Sequence, residues 1–211
     1  IYTKGSDEDF WHAEARLAAL ERLRCGTTTG VCLFGGGDTI MRVDEPRYAQ
    51  RHGDAIEQTG TRSVLAIGPS RPPAPMVYTS WDGDKRVDRA VSFDQMYETC
   101  EEIIRTEHGR ADGRVNICTT LAVYHPEHTP EQKTYADVFH QQAGQYMDMA
   151  RRHGLTFTQD GHRAGERARQ CRQSICGTPF LDKADRRVDH GHAKDHPGID
   201  PFTENGGHRA C

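Results

Sequence analysis

Along the first third of the chain the apolar positions change period. Phe10, Ala13, Leu17, Leu20 and Leu23 recur every three or four residues, as one face of a helix does. Ser6 ahead of them is a good N-cap, and Asp7, Glu8 and Asp9 suit the positive end of a helix dipole. The stripe predicts a helix with its leucines on the buried side, stopped by Gly26. TTTGVCLF, residues 27–34, is β-branched and apolar and predicts a strand, with GGGD as a flexible loop after it.

The alternation then repeats. Asp44 and Pro46 open a helix that ends near Gly60, and RSVLAIG reads as a buried strand. Ser92 and Gln95 form a capping box for a helix whose buried face is Phe93, Met96, Tyr97, Cys100, Ile103 and Ile104. RVNICTTLAVY is the next strand. Thr129, Pro130 and Gln132 start another helix, with Tyr135, Val138, Phe139, Tyr146 and Met149 on one side and Gly154 at its end. LTFTQ, a polar helix over 163–173, the strand RRVDHGH and a short helix over 197–205 follow, and HRAC reads as the start of a sixth strand.

Strands alternating with helices predict a parallel sheet with helices outside it. The architectures that fit are a (β/α)8 barrel and an open doubly wound sheet. Neither GxGxxG nor GxxxxGK[ST] is present, which removes the main sign of a nucleotide-binding sheet and leaves an open flavodoxin-like sheet with little support. The stretch 68–85 is long and rich in proline and aromatic residues, as a loop shaping a pocket or a plain solvent excursion would be.

Composition narrows the partners. A formal net charge of −4 with both signs mixed along the chain argues against nucleic acid or an anionic membrane held by bulk charge. No apolar run approaches the roughly 20 residues of a membrane helix, and IYTKGSDEDF lacks the character of a signal peptide. Seven cysteines without a CxxC pair indicate neither a zinc ribbon nor a thioredoxin-type motif. Cys25, Cys32, Cys100 and Cys118 read as small buried hydrophobes of a reducing, cytoplasmic protein. A small-molecule substrate is the expected partner, with a homo-oligomer left open.

Polar groups gather where two strands run out. Residues at i and i+2 of a strand share a face, and Asp160 with His162 fits that spacing, as does His190 with His192. Carboxylate and imidazole groups at the ends of neighbouring parallel strands are what a zinc or iron hydrolase site requires. Glu166, four residues past His162, is the nearest proton shuttle, and Gln159 points to the other face of a regular strand. Asp-Gly also favours a tight turn, and DHGHAKDH also reads as a solvated loop, so spacing alone leaves both readings open. His125 and His128 follow the third strand and are further candidates for a pocket mouth. His12, His52, His108, His140 and His153 fall in or at the ends of helices and read as surface residues.

Three segments carry a family resemblance. AALERLRCGTTTGVCLF, residues 18–34, is similar to the helix and second barrel strand of the metal-dependent amidohydrolase superfamily, in its cytosine deaminase and chlorohydrolase-like branch. RRHGLTFTQDGHRAG resembles the fifth strand of that branch, and RRVDHGHAKDHPGID the sixth. The resemblance implies strands two to six of a (β/α)8 barrel and the start of strand seven, in one domain over residues 1–211. It implies a hydrolase that uses metal-activated water on a C–N or C–Cl bond of a small cyclic or amide substrate. Asp160, His162 and His190 would hold a divalent zinc or iron ion. His190, His162 and Glu166 would be catalytic, and Gln159 and His192 would contact substrate. The family pattern places Glu three residues after the fifth-strand His, whereas His162 and Glu166 are four apart. The family's first-strand HxH and eighth-strand Asp have no counterparts here, which implies an internal fragment of a longer protein, inactive by itself. The rival expectation is a non-catalytic barrel-like binding or scaffold protein that has lost its metal ligands.

Overall fold

The computed structural model describes residues 6–36, 40–121 and 134–158. In chain order the elements are α1 (Glu8–Arg24), β1 (Thr29–Leu33), β2 (Gly35–Gly36), β3 (Ile40–Met41), α2 (Arg47–Thr59), β4 (Arg62–Ile67), β5 (Met76–Asp82), β6 (Lys85–Val91), α3 (Phe93–Glu107), the single turn α4 (Arg110–Gly113), β7 (Val115–Thr119) and α5 (Ala136–His153). The molecule is mixed α/β with a small parallel sheet in the order β1-β4-β7. Among the described residues this sheet is open, not closed into a barrel.

Register fixes which side chains share a face. Cys32 pairs with Leu65 and Leu65 with Ile117, while Val31 pairs with Val64 and Val64 with Asn116. Leu65, Ile67 and Ile117 are buried in one cluster with Trp11 of α1, Tyr48 of α2, Cys100 and Ile103 of α3, and Tyr146 and Met149 of α5. All four long helices thus pack on one face of the sheet. On the other face Val31 is 67% and Leu33 49% exposed. Burying an aliphatic side chain contributes about 1.5–3 kcal/mol, so the helix side supplies most of the stability of this sheet.

The helices are also neighbours in chain order. Arg47 and Arg51 of α2 pair with Glu8 and Asp9 of α1 at 2.7 and 3.0 Å. Arg110, after α3, reaches back to Asp54 and Glu57 of α2 at 2.5 and 3.0 Å and to Glu107 at 3.0 Å. An added Cβ on Gly53 would lie 2.4 Å from Glu107 Oε2, so a larger residue there would make the Glu107 carboxylate and the Arg110 guanidinium shift. Arg152 of α5 holds Glu101 and Tyr97 of α3 at 2.5 and 2.7 Å, and Tyr97 meets Tyr146 edge-on at 5.4 Å.

Several expectations hold and several need correction. The capping box is present: Gln95 N donates to Ser92 Oγ at 3.2 Å and Ser92 N to Gln95 Oε1 at 2.9 Å. Gly60 and Gly154 end α2 and α5 in the left-handed region. Asp7, not Ser6, caps α1, accepting from Phe10 N at 2.8 Å, while buried Ser6 accepts from Trp11 Nε1 at 3.2 Å. The leucine stripe does not face the core: Leu17, Leu20 and Leu23 are 60%, 42% and 37% exposed, and α1 buries Trp11, Ala15 and Ala19. Small alanines let α1 lie close against α2, and Trp11 reaches Phe34, 4.9 Å between ring centroids. The stretch 68–85 is not a plain loop, because β5 and β6 form an antiparallel hairpin turned at Gly83. Cys25 is exposed and Cys32 half-buried, so only Cys100 and Cys118 are the buried thiols expected. His52 is buried, not superficial. No helix among the described residues is long and apolar enough to cross a membrane.

Candidate functional site

The connections that leave the C-terminal ends of β1 and β4 fold into one polar assembly. After β1, Phe34 N donates to Ala66 O at 2.9 Å, and Arg42 N, beyond the small β2–β3 ribbon, returns to Phe34 O at 2.8 Å. That turn buries Arg42 completely. Its guanidinium lies 4.1 Å over the Tyr48 ring and 5.7 Å from that of Tyr78, within cation–π range. Nη1 and Nη2 both lie 3.4 Å from the Thr79 carbonyl of β5. Nε is 3.2 Å from Asp44 Oδ1, an ion pair by proximity without the alignment of a hydrogen bond.

Burial pushes the Asp44 carboxyl above its usual range, against the opposing pull of Arg42. Arg89 of β6 donates to the Asp44 carbonyl at 2.6 Å and lies 2.9 Å from Glu45. Tyr78 shares a hydrogen bond with Ser70 at 2.7 Å and donates to Met96 Sδ at 3.5 Å, and burial drives its phenol far above the ordinary value. Asp44 borders a cleft of about 230 Å³ whose walls include Arg89, Glu98 and Glu102. Arg42 does not line that cleft; enclosed by two tyrosines and Thr79, it ties the β5–β6 hairpin to the start of α2. Asp44 is a shielded carboxyl with a raised pKa beside open space, the state a proton donor needs, although the Arg42 pair makes a structural role its first one.

The end of β7 is a second polar place. Thr120 N donates to Ile67 O at 2.8 Å, and an added Cβ on Gly68 would meet Thr120 O at 1.9 Å, so β4 and β7 run out in close contact. Buried Thr120 Oγ1 has no hydrogen-bond partner among the described residues. Beyond it, α5 carries Gln142, 4% exposed, whose Oε1 likewise has no partner among the described residues. Gln142 lines a cleft of about 290 Å³ between the start of α3, the 72–74 loop and α5.

Thr158 lies beside this end of the sheet. Thr119 N donates to Thr156 O at 3.0 Å and Thr158 N to Thr119 O at 2.8 Å, a parallel bridge that continues the strand order past β7. Gln159, the first of the sequence-derived site residues, is the next residue in the chain. Gln159, Asp160, His162, Glu166, His190 and His192 all lie outside the described residues, as do His125 and His128. Among the described residues no group of three His, Cys, Asp or Glu side chains is arranged to hold a metal ion.

Sequence reasoning missed Arg42 and Gln142. Arg42 carries no local signal, because its burial comes from Tyr48 and Tyr78 on other elements. Gln142 does carry one: it interrupts the apolar stripe Phe139, Ala143, Tyr146, Met149 and Ala150 with a polar group on the same face. No protein-family model and no characterised protein sequence matches the chain.

Proposed function

We propose that this chain belongs to a metal-dependent hydrolase of amidohydrolase type, acting on a C–N or C–Cl bond of a small cyclic or amide substrate. The reading rests on the resemblance of residues 18–34 and on one structural observation. Strand order follows chain order through β1, β4, β7 and the Thr119–Phe157 bridge, with α1, α2, α3 and α5 on one face. A barrel built from successive strand–helix units has that arrangement, whereas a doubly wound sheet carries helices on both faces. The partial barrel, strands two to six and the start of seven, belongs to this proposal. Val31 and Leu33, exposed on the face away from the helices, would then point to the barrel interior. In parallel α/β folds the chemistry sits at the C-terminal strand ends, the end at which Thr158 precedes Gln159.

Two imidazoles and a carboxylate, His162, His190 and Asp160, are a donor set that suits zinc or iron. When bound, such an ion supplies a water whose pKa is lowered to about 7. Glu166 would take the proton from the attacking water and return it to the leaving nitrogen, the task of a general acid–base carboxylate. Gln159 and His192 would orient the substrate ring. The protein would be cytoplasmic and would need neither nucleic acid nor membrane.

Release of ammonia or chloride from a panel of aminated, chlorinated and cyclic-amide heterocycles tests this reading. The natural protein carrying this sequence should turn over at least one of them, lose the activity to a chelator and regain it with zinc or iron. His190→Ala should abolish it. No release from any of them, with metal supplied, would leave the rival reading of a barrel-like binding protein.

A further inference from the structure

We propose that α1 pairs with the α1 helix of a second copy of this chain, side by side and parallel, through Ala13, Leu17 and Leu20. The helix has two apolar faces. Trp11, Ala15 and Ala19 are buried, while Ala13, Leu17 and Leu20, on the opposite side of the helix, are exposed. Their spacing of four and then three residues is that of a coiled-coil seam, with Leu17 at an a position and Ala13 and Leu20 at d positions. Half-buried Phe10 and charged Arg24 occupy the neighbouring a positions and end the seam. The charges beside it choose the partner and its direction. Arg16 falls at g and Glu21 at e, both exposed and neither in an ion pair among the described residues. In a parallel pair a g residue faces the next e residue of the partner helix, so Arg16 meets Glu21 of the second copy, twice over by symmetry. An antiparallel pair would set e against e, with Glu14 and Glu21 facing the same two glutamates. One heptad earlier the facing residues are Asp9 and Glu14, both acidic, but Arg51 already holds Asp9 at 3.0 Å. A seam of about one heptad buries well under the roughly 800 Å² per partner of a standard interface, so the dimer forms at concentrations on the order of 100 µM. At low micromolar concentration the chain is a monomer, and the leucines contribute to association and not to the stability of the fold. The inference is independent of the hydrolase reading, because α1 carries no proposed metal ligand or catalytic group.

Sedimentation equilibrium of the full chain, from low micromolar to near-millimolar concentration, tests it. The natural chain should pass from monomer to dimer and form no larger species. Leu17→Gln, at a position 60% exposed and so compatible with folding, should keep the chain monomeric throughout. Arg16→Glu and Glu21→Arg each turn two attractions into two repulsions and should weaken the dimer about tenfold. The double variant Arg16→Glu/Glu21→Arg restores opposite charges across the seam and should recover the natural affinity. A monomer at every concentration would leave this face to another segment or partner and overturns the proposal. An assembly larger than a dimer, or a dimer untouched by Leu17→Gln, overturns it too. So do single charge reversals without effect, or a double variant as weak as the single ones.

Discussion

His52 Nε2 and Ser63 Oγ share a hydrogen bond at 3.0 Å, and Ser63 Oγ lies 3.8 Å from Cys32 Sγ. Burial, with the Arg22 charge adding to it, lowers the His52 pKa from 6.5 to about 4. Between those values the unfolded chain binds a proton that the folded chain refuses. Stability from this residue is therefore complete above about pH 6.5 and is lost as the pH falls towards 4. The loss should reach about 3 kcal/mol, at 1.36 kcal/mol per unit of pKa. Urea unfolding midpoints at pH 7 and pH 4.5 will show it as a steeper acid loss in the natural chain than in His52→Asn; parallel losses in the two would contradict it. Arg42 should matter more at neutral pH. Arg42→Met leaves Asp44 buried without its nearest cation, and such a break costs about 3–5 kcal/mol, read from the same midpoints. Neither effect was legible in the sequence. His52 occupies an ordinary helical position, and only the approach of Ser63 and Arg22 from other elements makes it a buried neutral ring.

At the scale of elements, α1 is the most informative case, because periodicity marked its existence correctly and its buried face wrongly. Leucines at 17, 20 and 23 make the stronger stripe, yet α2 packs on Trp11, Ala15 and Ala19. Close packing against a neighbouring helix favoured small residues over apolar area, a choice that depends on the partner and is invisible in one helix alone. Leu17→Gln and Leu20→Gln should therefore shift stability by no more than about 0.5 kcal/mol, while Trp11→Ala should cost about 3–5 kcal/mol. Thermal or urea unfolding of the three variants separates the faces, and a large loss at Leu17 would show that the stripe is covered in solution. The β5–β6 hairpin is the opposite case. Its signal was present, the two-residue turn Gly83-Asp84 between two strands, and was masked by the proline run ahead of it. The Ser92–Gln95 box and the glycines ending α2 and α5 were fully legible, since caps are set by local chemistry.

For the whole molecule, the alternation of strand and helix was enough to read a parallel sheet with outer helices, because each unit declares itself locally. Strand order and the one-sided placement of α1, α2, α3 and α5 were not, since they arise from pairing between units. The polar ends of β1 and β4 depend in the same way on long-range contacts: Arg42 meets Thr79, and Arg89 meets Asp44. The proposed metal ligands, by contrast, are legible only as sequence, through their spacing and the family resemblance of the segments that carry them. The claim that joins these two halves is that Asp160, His162 and His190 hold a metal ion at the C-terminal end of the sheet. Metal content by plasma mass spectrometry tests it most directly, on the natural protein carrying this sequence and on its Asp160→Ala and His190→Ala variants. The account predicts about one zinc or iron per chain in the natural protein and a clear loss in both variants. Metal absent from the natural protein, or retained equally in both variants, would contradict it.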